Sequence, residues 1–256
     1  MKTLVVAQQK GGVGKTSSLV HLAFDFLERG LRVCVIDLDT QGNASFTLQD
    51  YGSGYLASHM FDQGGDDLRG AFSDLPSGPL LRLVESDPLL ANMEKRSLTD
   101  AAAAFRENVG ALADSGFDVV LIDTAPALGV SLAAALYAAD SVLSPIELEA
   151  YSIQGIKKML TTIANVRKMN AKLKFLGMVP SKVDARNPRH VRHLQELQTA
   201  YPKLMIPAAI GLRSSIADAL ASGVPVWKIK KTAARKATQE VRALAEFVFE
   251  NMEIAQ

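Results

Sequence analysis

Thr3-Leu4-Val5-Val6-Ala7-Gln8-Gln9-Lys10-Gly11-Gly12-Val13-Gly14-Lys15-Thr16-Ser17 is the stretch that decides the fold. A short apolar run ends in a glycine-rich loop, and residues 16–29 then take up helical spacing. Glycines let backbone N–H groups curl around phosphates, and a helix N-terminus adds partial positive charge. Lys15 is spaced to reach β- and γ-phosphates, and the Thr16 hydroxyl to ligate Mg²⁺. The expected ATP-binding set is therefore Lys10, Gly11, Gly12, Val13, Gly14, Lys15, Thr16 and Ser17. A chance glycine turn would not place Gly, Lys and Thr in this order between a strand and a helix.

Two further strand ends carry acids. Asp37-Leu38-Asp39-Thr40-Gln41-Gly42-Asn43 follows the apolar run 32–36. Its two carboxylates have alternating spacing and so leave the strand on the same side. Val119–Ile122 then delivers Asp123, followed by Thr124-Ala125-Pro126. An acid at that point suits a Walker B position, holding Mg²⁺ through water.

Around these motifs, apolar runs at 3–7, 32–36, 80–84, 119–122, 141–146, 173–179 and 204–206 suggest strands buried on both faces. Helical patterns occupy 16–29, 98–113, 131–139, 151–169, 188–201, 214–221 and about 232–252. The alternation predicts an α/β fold, a doubly wound, mostly parallel sheet flanked by helices, with ligands at the carboxyl ends of the strands. No repeat or linker interrupts it, so residues 1–256 are expected to form one domain. Residues 49–79, rich in Gly and Asp, are expected to be an irregular surface excursion.

Composition narrows the classes. The 256 residues are 48% hydrophobic and 21% charged, enough for a full α/β core. No apolar run nears the roughly 18 residues of a membrane span, and 4–7 is too short for a signal-peptide core. The one cysteine, Cys34, excludes thiolate zinc, iron–sulfur clusters and disulfides, and suggests a reducing cytoplasm. The net charge of +1 hides segregation: residues 157–236 carry 17 Lys/Arg against Asp184, Glu196 and Asp218. A polyanion partner and ordinary solvated helix faces account for this equally on charge alone. The candidate contacts are Arg186, Arg189, Arg192, Arg213, Lys228, Lys230, Lys231, Arg235 and Lys236. Trp227 is the only aromatic among them, which favours duplex phosphates over stacking on single strands. His190 and His193, three apart without nearby acids, suit a basic helix face better than a metal pair.

Together, the second lysine at Lys10, the Asp37–Asn43 run and Asp123–Pro126 resemble the deviant Walker ATPases of the ParA/MinD family. Residues 145–155 (Pro-Ile-Glu-Leu-Glu-Ala-Tyr-Ser-Ile-Gln-Gly) and the Arg213…Gly223-Val224-Pro225 stretch extend the resemblance over nearly the whole chain. The resemblance implies that Lys10 crosses a dimer interface to the partner's ATP. It also implies that Asp39, in switch I, orients the attacking water, with Asp37 in the magnesium environment. By the same resemblance residues 124–126 are switch II, residues 145–155 lie near a nucleotide-sandwiched dimer, and residues 228–236 face DNA. It places Ser181 and Pro207 near the adenine, although many relatives carry Asn where this chain has Pro180-Ser181-Lys182.

The implied function is an ATP-switched partition ATPase that acts on plasmids. Its ATP-dependent homodimer binds nonspecific double-stranded DNA in the cytoplasm, on the nucleoid. A ParB-type (KorB-like) centromere-binding protein stimulates slow hydrolysis. No N-terminal helix-turn-helix precedes the loop, so autonomous operator recognition is not expected. The alternative, a MinD-like membrane-positioning ATPase, needs a basic amphipathic tail. The last helix instead carries Glu240, Glu246, Glu250 and Glu253 against Arg242. A nitrogenase-reductase relative would need cluster cysteines, and no His, Cys or carboxylate constellation suggests a metabolic ligase.

Overall fold

The computed structural model describes residues 1–62, 65–149 and 152–254. Seven strands form one sheet: β1 (Lys2–Val6), β2 (Arg32–Leu38), β3 (Gly52–Leu56), β4 (Leu80–Glu85), β5 (Val119–Thr124), β6 (Ser141–Glu147) and β7 (Lys174–Ser181). Their order is β3-β4-β2-β5-β1-β6-β7, and every pairing is parallel. The helices are α1 (Lys15–Glu28), α2 (Asn43–Thr47), α3 (Asp66–Ala71), α4 (Leu98–Asp114), α5 (Val130–Ala138), α6 (Ser152–Val166), α7 (Pro188–Ala200), α8 (Ser214–Ala221) and α9 (Ala234–Met252).

The strands are apolar throughout because both faces are covered, and successive residues supply opposite layers. Leu4 and Val6 of β1 join the core under α1, α8 and α9, whereas Val5 joins the core under α4 and α5. On α9, Val241, Leu244, Ala245, Val248 and Met252 are buried, the stripe that helical spacing predicts. Each large apolar side chain so buried contributes about 1.5–3 kcal/mol. A smaller third core, with Ile146, Ile156, Met178 and Leu197, closes the β6–β7 end.

Two expectations are corrected. Residues 204–206 are not a strand. Met178 N–H donates to the Leu204 carbonyl at 2.6 Å and Ile206 N–H to the Met178 carbonyl at 3.0 Å, which makes one isolated bridge. Three residues are too few to extend that bridge into a ladder. Residues 49–79 are not an irregular excursion, since they supply β3, two 3-10 turns and α3. Tyr55, Met60, Phe61, Leu68 and Phe72 from this stretch are buried in the core. β3 escapes a periodicity reading because it is a Gly-rich edge strand. Glu85 of β4 accepts from the Ser53 and Gly54 N–H groups in place of a regular ladder. The helix expected from Tyr151 is described from Ser152 onward. Ala150 and Tyr151 of the family-like segment lie outside the described residues.

Candidate phosphate-binding site

Parallel register assembles the site. In the β1–β5 pairing Val6 stands opposite Asp123, and in the β2–β5 pairing Asp123 stands opposite Asp37. Three strand ends separated by scores of residues therefore finish in one row, directly where the chain turns into the glycine loop. Thr124 Oγ1 donates to the Val6 carbonyl at 3.0 Å and ties the post-Asp123 segment to the loop's root.

The loop needs glycine at two positions for backbone reasons. Gly12 and Gly14 have φ of 75° and 90°, in the left-handed region. A Cβ on Gly14 would also come within 2.6 Å of Ser181 Oγ. Gly14 caps α1, so the helix N-terminus begins at Lys15 itself. Gly11, Gly12, Gly14, Lys15, Thr16, Ser17 and Asp39 line one cavity of about 560 Å³, together with Pro126 and Lys182. Val13, which is buried, and Lys10, which is exposed, line a separate cavity with Glu147 and Glu149.

The electrostatics suit a polyanion carried with a cation. Lys15 is only 6% exposed. Burial lowers its pKa, opposed by the charges of Asp123 and Asp39. Asp123 is fully buried and its pKa is pushed up to about 7, chiefly by burial and next by the Asp37 charge, against a hydrogen bond from Thr16 and the charge of Lys15. That bond runs from Thr16 Oγ1 to Asp123 Oδ2 at 2.5 Å. A hydroxyl and a carboxylate that share a proton contact beside a surplus of acid are the hard oxygen donors Mg²⁺ prefers. Among the described residues no group of three or more His, Cys, Asp or Glu side chains is arranged to hold a metal ion.

Asp37 stands opposite Asp123 at the strand ends, and its charge is one cause of the raised Asp123 pKa. Its Oδ2 accepts from Ser45 N–H and Oγ, both at 2.8 Å, and its Oδ1 accepts from Asp39 N–H. It is buried behind Asp39, pinning the start of α2 to the strand end, and it does not line the cavity. Asp39 Oδ1 in turn accepts from Gln41 N–H, which fixes the loop that follows.

Lys10 Nζ is held within its own chain, 2.7 Å from Glu147 Oε2 and 2.6 Å from Glu149 Oε2. Burial is the largest single influence on the Lys10 pKa and lowers it, but the hydrogen bonds and charges of Glu147 and Glu149 together outweigh it and raise the value. Glu147 also meets Lys182 Nζ at 3.3 Å. Of the residues expected at the base, Ser181 is buried against Gly14, and Pro207 is exposed; neither lines the cavity.

The basic residues fall into two groups. Arg186, Arg189, Arg192, Lys228, Lys230, Lys231, Arg235 and Lys236 are exposed, although Arg186 meets Asp184, Arg192 meets Glu196, and Lys231 meets Asp218. Arg213 is different. Its Nε and Nη2 bind both oxygens of Glu240, at 2.8 and 2.6 Å, and Glu240 also accepts from Gly211 N–H. This residue, expected to face DNA, also fastens the 211–213 loop onto α9. His190 and His193 bind backbone, through Asp184 N–H and the Leu148 carbonyl, and not each other.

Three features leave no trace in the sequence pattern. Lys182 enters the cavity, Glu147 and Glu149 hold Lys10, and His21 joins α1 to the basic segment. His21 Nδ1 lies 2.7 Å from the Ser17 carbonyl, and its Nε2 accepts from Val226 N–H. Their partners lie far away in the sequence, so no local spacing pairs them.

A strand–glycine loop–helix with a buried Lys, a Thr–Asp pair and a switch acid in one parallel sheet defines a P-loop nucleoside triphosphatase. A family model described as "AAA domain" (AAA_31) matches residues 1–175. The chain is 71% identical to Protein IncC of Escherichia coli over 260 residues, covering 100% of this chain and 71% of the relative. It is 35% identical to the chromosome-partitioning ATPase Soj of Thermus thermophilus, over 73% of this chain and 71% of the relative. Cobyrinic acid a,c-diamide synthase of Mycobacterium smegmatis, solved with bound ADP and magnesium, superposes with a TM-score of 0.75 at 25% identity. The match covers 99% of this chain and 96% of that one. The chain belongs to the ParA/MinD family of deviant Walker ATPases. It is an ATPase of that family, and among its described residues no helix is long and apolar enough to cross a membrane.

Proposed function

We propose that this chain is a DNA-partition ATPase that drives plasmid segregation. Its ATP-bound dimer holds duplex DNA without reading sequence and lets go on hydrolysis. Carrying this reading is one juxtaposition. The triphosphate cradle, Asp39 and the Thr16–Asp123 pair form a complete switch, in a chain whose residues 157–236 hold 17 cations against three acids.

Within that cycle Lys15 binds the phosphates, and Thr16 and Asp123 would hold Mg²⁺, with Asp37 beside them. The bound ion supplies neutralisation of the phosphate charge. Asp39 orients water for attack. Turnover is slow until a ParB-type, KorB-like partner binds; among the described residues, the cations lining the cavity are Lys15 and Lys182, and no arginine joins them. Lys10 leaves Glu147 and Glu149 to reach the nucleotide of a second copy. Dimerisation doubles the number of phosphates neutralised, which makes DNA binding follow ATP with no new reading element. Residues 1–256 act as one ATPase domain in the cytoplasm, on the nucleoid, with the adenine near Ser181 and Pro207. An acidic last helix disfavours the membrane-positioning alternative.

Fluorescence anisotropy on two unrelated duplexes with MgATP, MgADP or no nucleotide tests the proposal. Tight binding with MgATP alone, equal on both duplexes, is expected. Equal binding in all three states would remove the ATP switch, and strong preference for one duplex would remove nonspecific holding.

A further inference from the structure

Two non-glycine residues among those described have φ in the left-handed region, Lys182 at 54° and Glu253 at 55°. Glu253 ends α9, where a left-handed residue is an ordinary helix stop. Lys182 follows a strand and caps nothing. The residues beside it are pinned: Ser181 is buried against the glycine loop, Val183 N–H donates to the Ile210 carbonyl at 3.0 Å, and Leu212 N–H donates to the Val183 carbonyl at 3.0 Å. Backbone strain of this kind persists only where its surroundings over-determine it, and it gathers at binding sites.

The strained backbone sends the side chain somewhere specific. Lys182 Nζ lies 3.9 Å from where a Cβ on Gly12 would stand, and Lys182 lines the same cavity as Gly12, Lys15 and Thr16. Lys15 and Lys182 are the two cations of that lining, against the single acid Asp39. Glu147 Oε1 holds the ammonium at 3.3 Å, while its other oxygen is occupied by Lys10 at 2.7 Å. Of the two lysine contacts of Glu147, the one to Lys182 is the longer, so it is given up at less cost than the Lys10 contact.

We propose that Lys182 is a nucleotide-binding residue whose ammonium engages phosphate oxygens of the bound triphosphate beside Gly12. The proposal rests on the ATP-binding reading of the cavity and adds a second in-chain cation to it. A triphosphate brings several negative charges into a site where Lys15 alone is buried. An exposed ammonium held by Glu147 at 3.3 Å transfers to the stronger anion as it arrives.

The test uses the whole chain with Lys182→Asn, Lys182→Arg and Lys15→Ala. Asn enters the left-handed region more readily than other non-glycine residues, so Lys182→Asn removes the charge without adding strain. Binding of MgATP, and of inorganic tripolyphosphate in competition with a fluorescent ATP analogue, is measured alongside the melting temperature without nucleotide. Lys182→Asn is expected to weaken both ligands by about tenfold or more, the scale of one charge-assisted hydrogen bond, while melting no lower than the parent. Lys182→Arg should stay within about threefold, since the cation remains. Wild-type affinity in Lys182→Asn would overturn the proposal. So would weaker ATP binding with unchanged tripolyphosphate binding, which would mean that the side chain meets the base or sugar. A lowered melting temperature with equal weakening in Asn and Arg would make the position structural. Failure of the parent to bind ATP, or full binding by Lys15→Ala, would instead defeat the ATP-binding reading itself.

Discussion

Thr16 Oγ1 donates a 2.5 Å hydrogen bond to Asp123 Oδ2 across 107 residues of sequence, joining the first turn of α1 to the end of β5. In this pair a hydroxyl stabilises a buried carboxylate that burial otherwise pushes toward its neutral form. Asp123→Asn removes a buried negative charge without changing shape, so the nucleotide-free protein should melt no lower than the parent. The Mg²⁺-dependent gain in ATP affinity, measured by titration with and without a chelator, should fall by about tenfold or more. Retention of that gain would move the metal site elsewhere.

Lys15 and Lys10 separate binding from assembly. Lys15→Ala should lower ATP affinity by about tenfold or more, because its charge is buried in the cavity. Lys10→Ala should bind ATP within about threefold of the parent, since in the monomer its ammonium is paired with Glu147 and Glu149, yet it should fail to dimerise in sedimentation with ATP. A normal ATP-dependent dimer of this variant would exclude the cross-interface role.

Asp39→Ala should bind ATP, dimerise and persist in that state. Its carboxylate lines the cavity, and the one hydrogen bond it accepts among the described residues comes from Gln41 N–H. Phosphate release at the parental rate would show that Asp39 does not position the water.

Arg189 and Arg213 should behave differently when reversed to Glu. Arg189 is exposed, and its reversal should weaken DNA binding alike on all sequences. The slope of log affinity against log salt should become shallower by about 0.9 for each phosphate that is no longer neutralised. Arg213→Glu would face Glu240 across the 211–213 loop, and should lower folding stability by about 1–3 kcal/mol in denaturant titration. Unchanged stability in that variant would make the Arg213–Glu240 pair incidental.

His21 predicts an acid sensitivity. Burial lowers its pKa from 6.5 to about 4, against the hydrogen bond to the Ser17 carbonyl, so the native state keeps the ring neutral. Below pH 6.5 the unfolded chain takes up a proton that the native chain refuses. Stability is then lost as pH falls through 6.5 toward about 4, by up to about 3 kcal/mol, and this contribution levels off below that. His21→Gln should flatten the curve across that window. A parental curve already flat there would mean the ring titrates normally.

From the order of residues alone, the glycine loop, Lys15, Thr16, Asp39, Asp123 and the parallel architecture could be derived. Each depends on local chemistry or on a hydrophobic period that a short window contains. Helix 214–221 and the buried stripe of α9 followed for the same reason. Non-local partners were decided only in three dimensions. Arg213 looked like a surface cation until Glu240, 27 residues later, was brought against it. The spacing around Asp37 held no sign that Ser45, eight residues on, would bind its Oδ2 through both N–H and Oγ. β3 was hidden because an edge strand rich in Gly takes its pairing from β4 and Glu85, not from its own composition. Lys182 was passed over because a left-handed backbone is imposed by anchors on either side, Ser181 and Val183, and those anchors exist only once the sheet has folded.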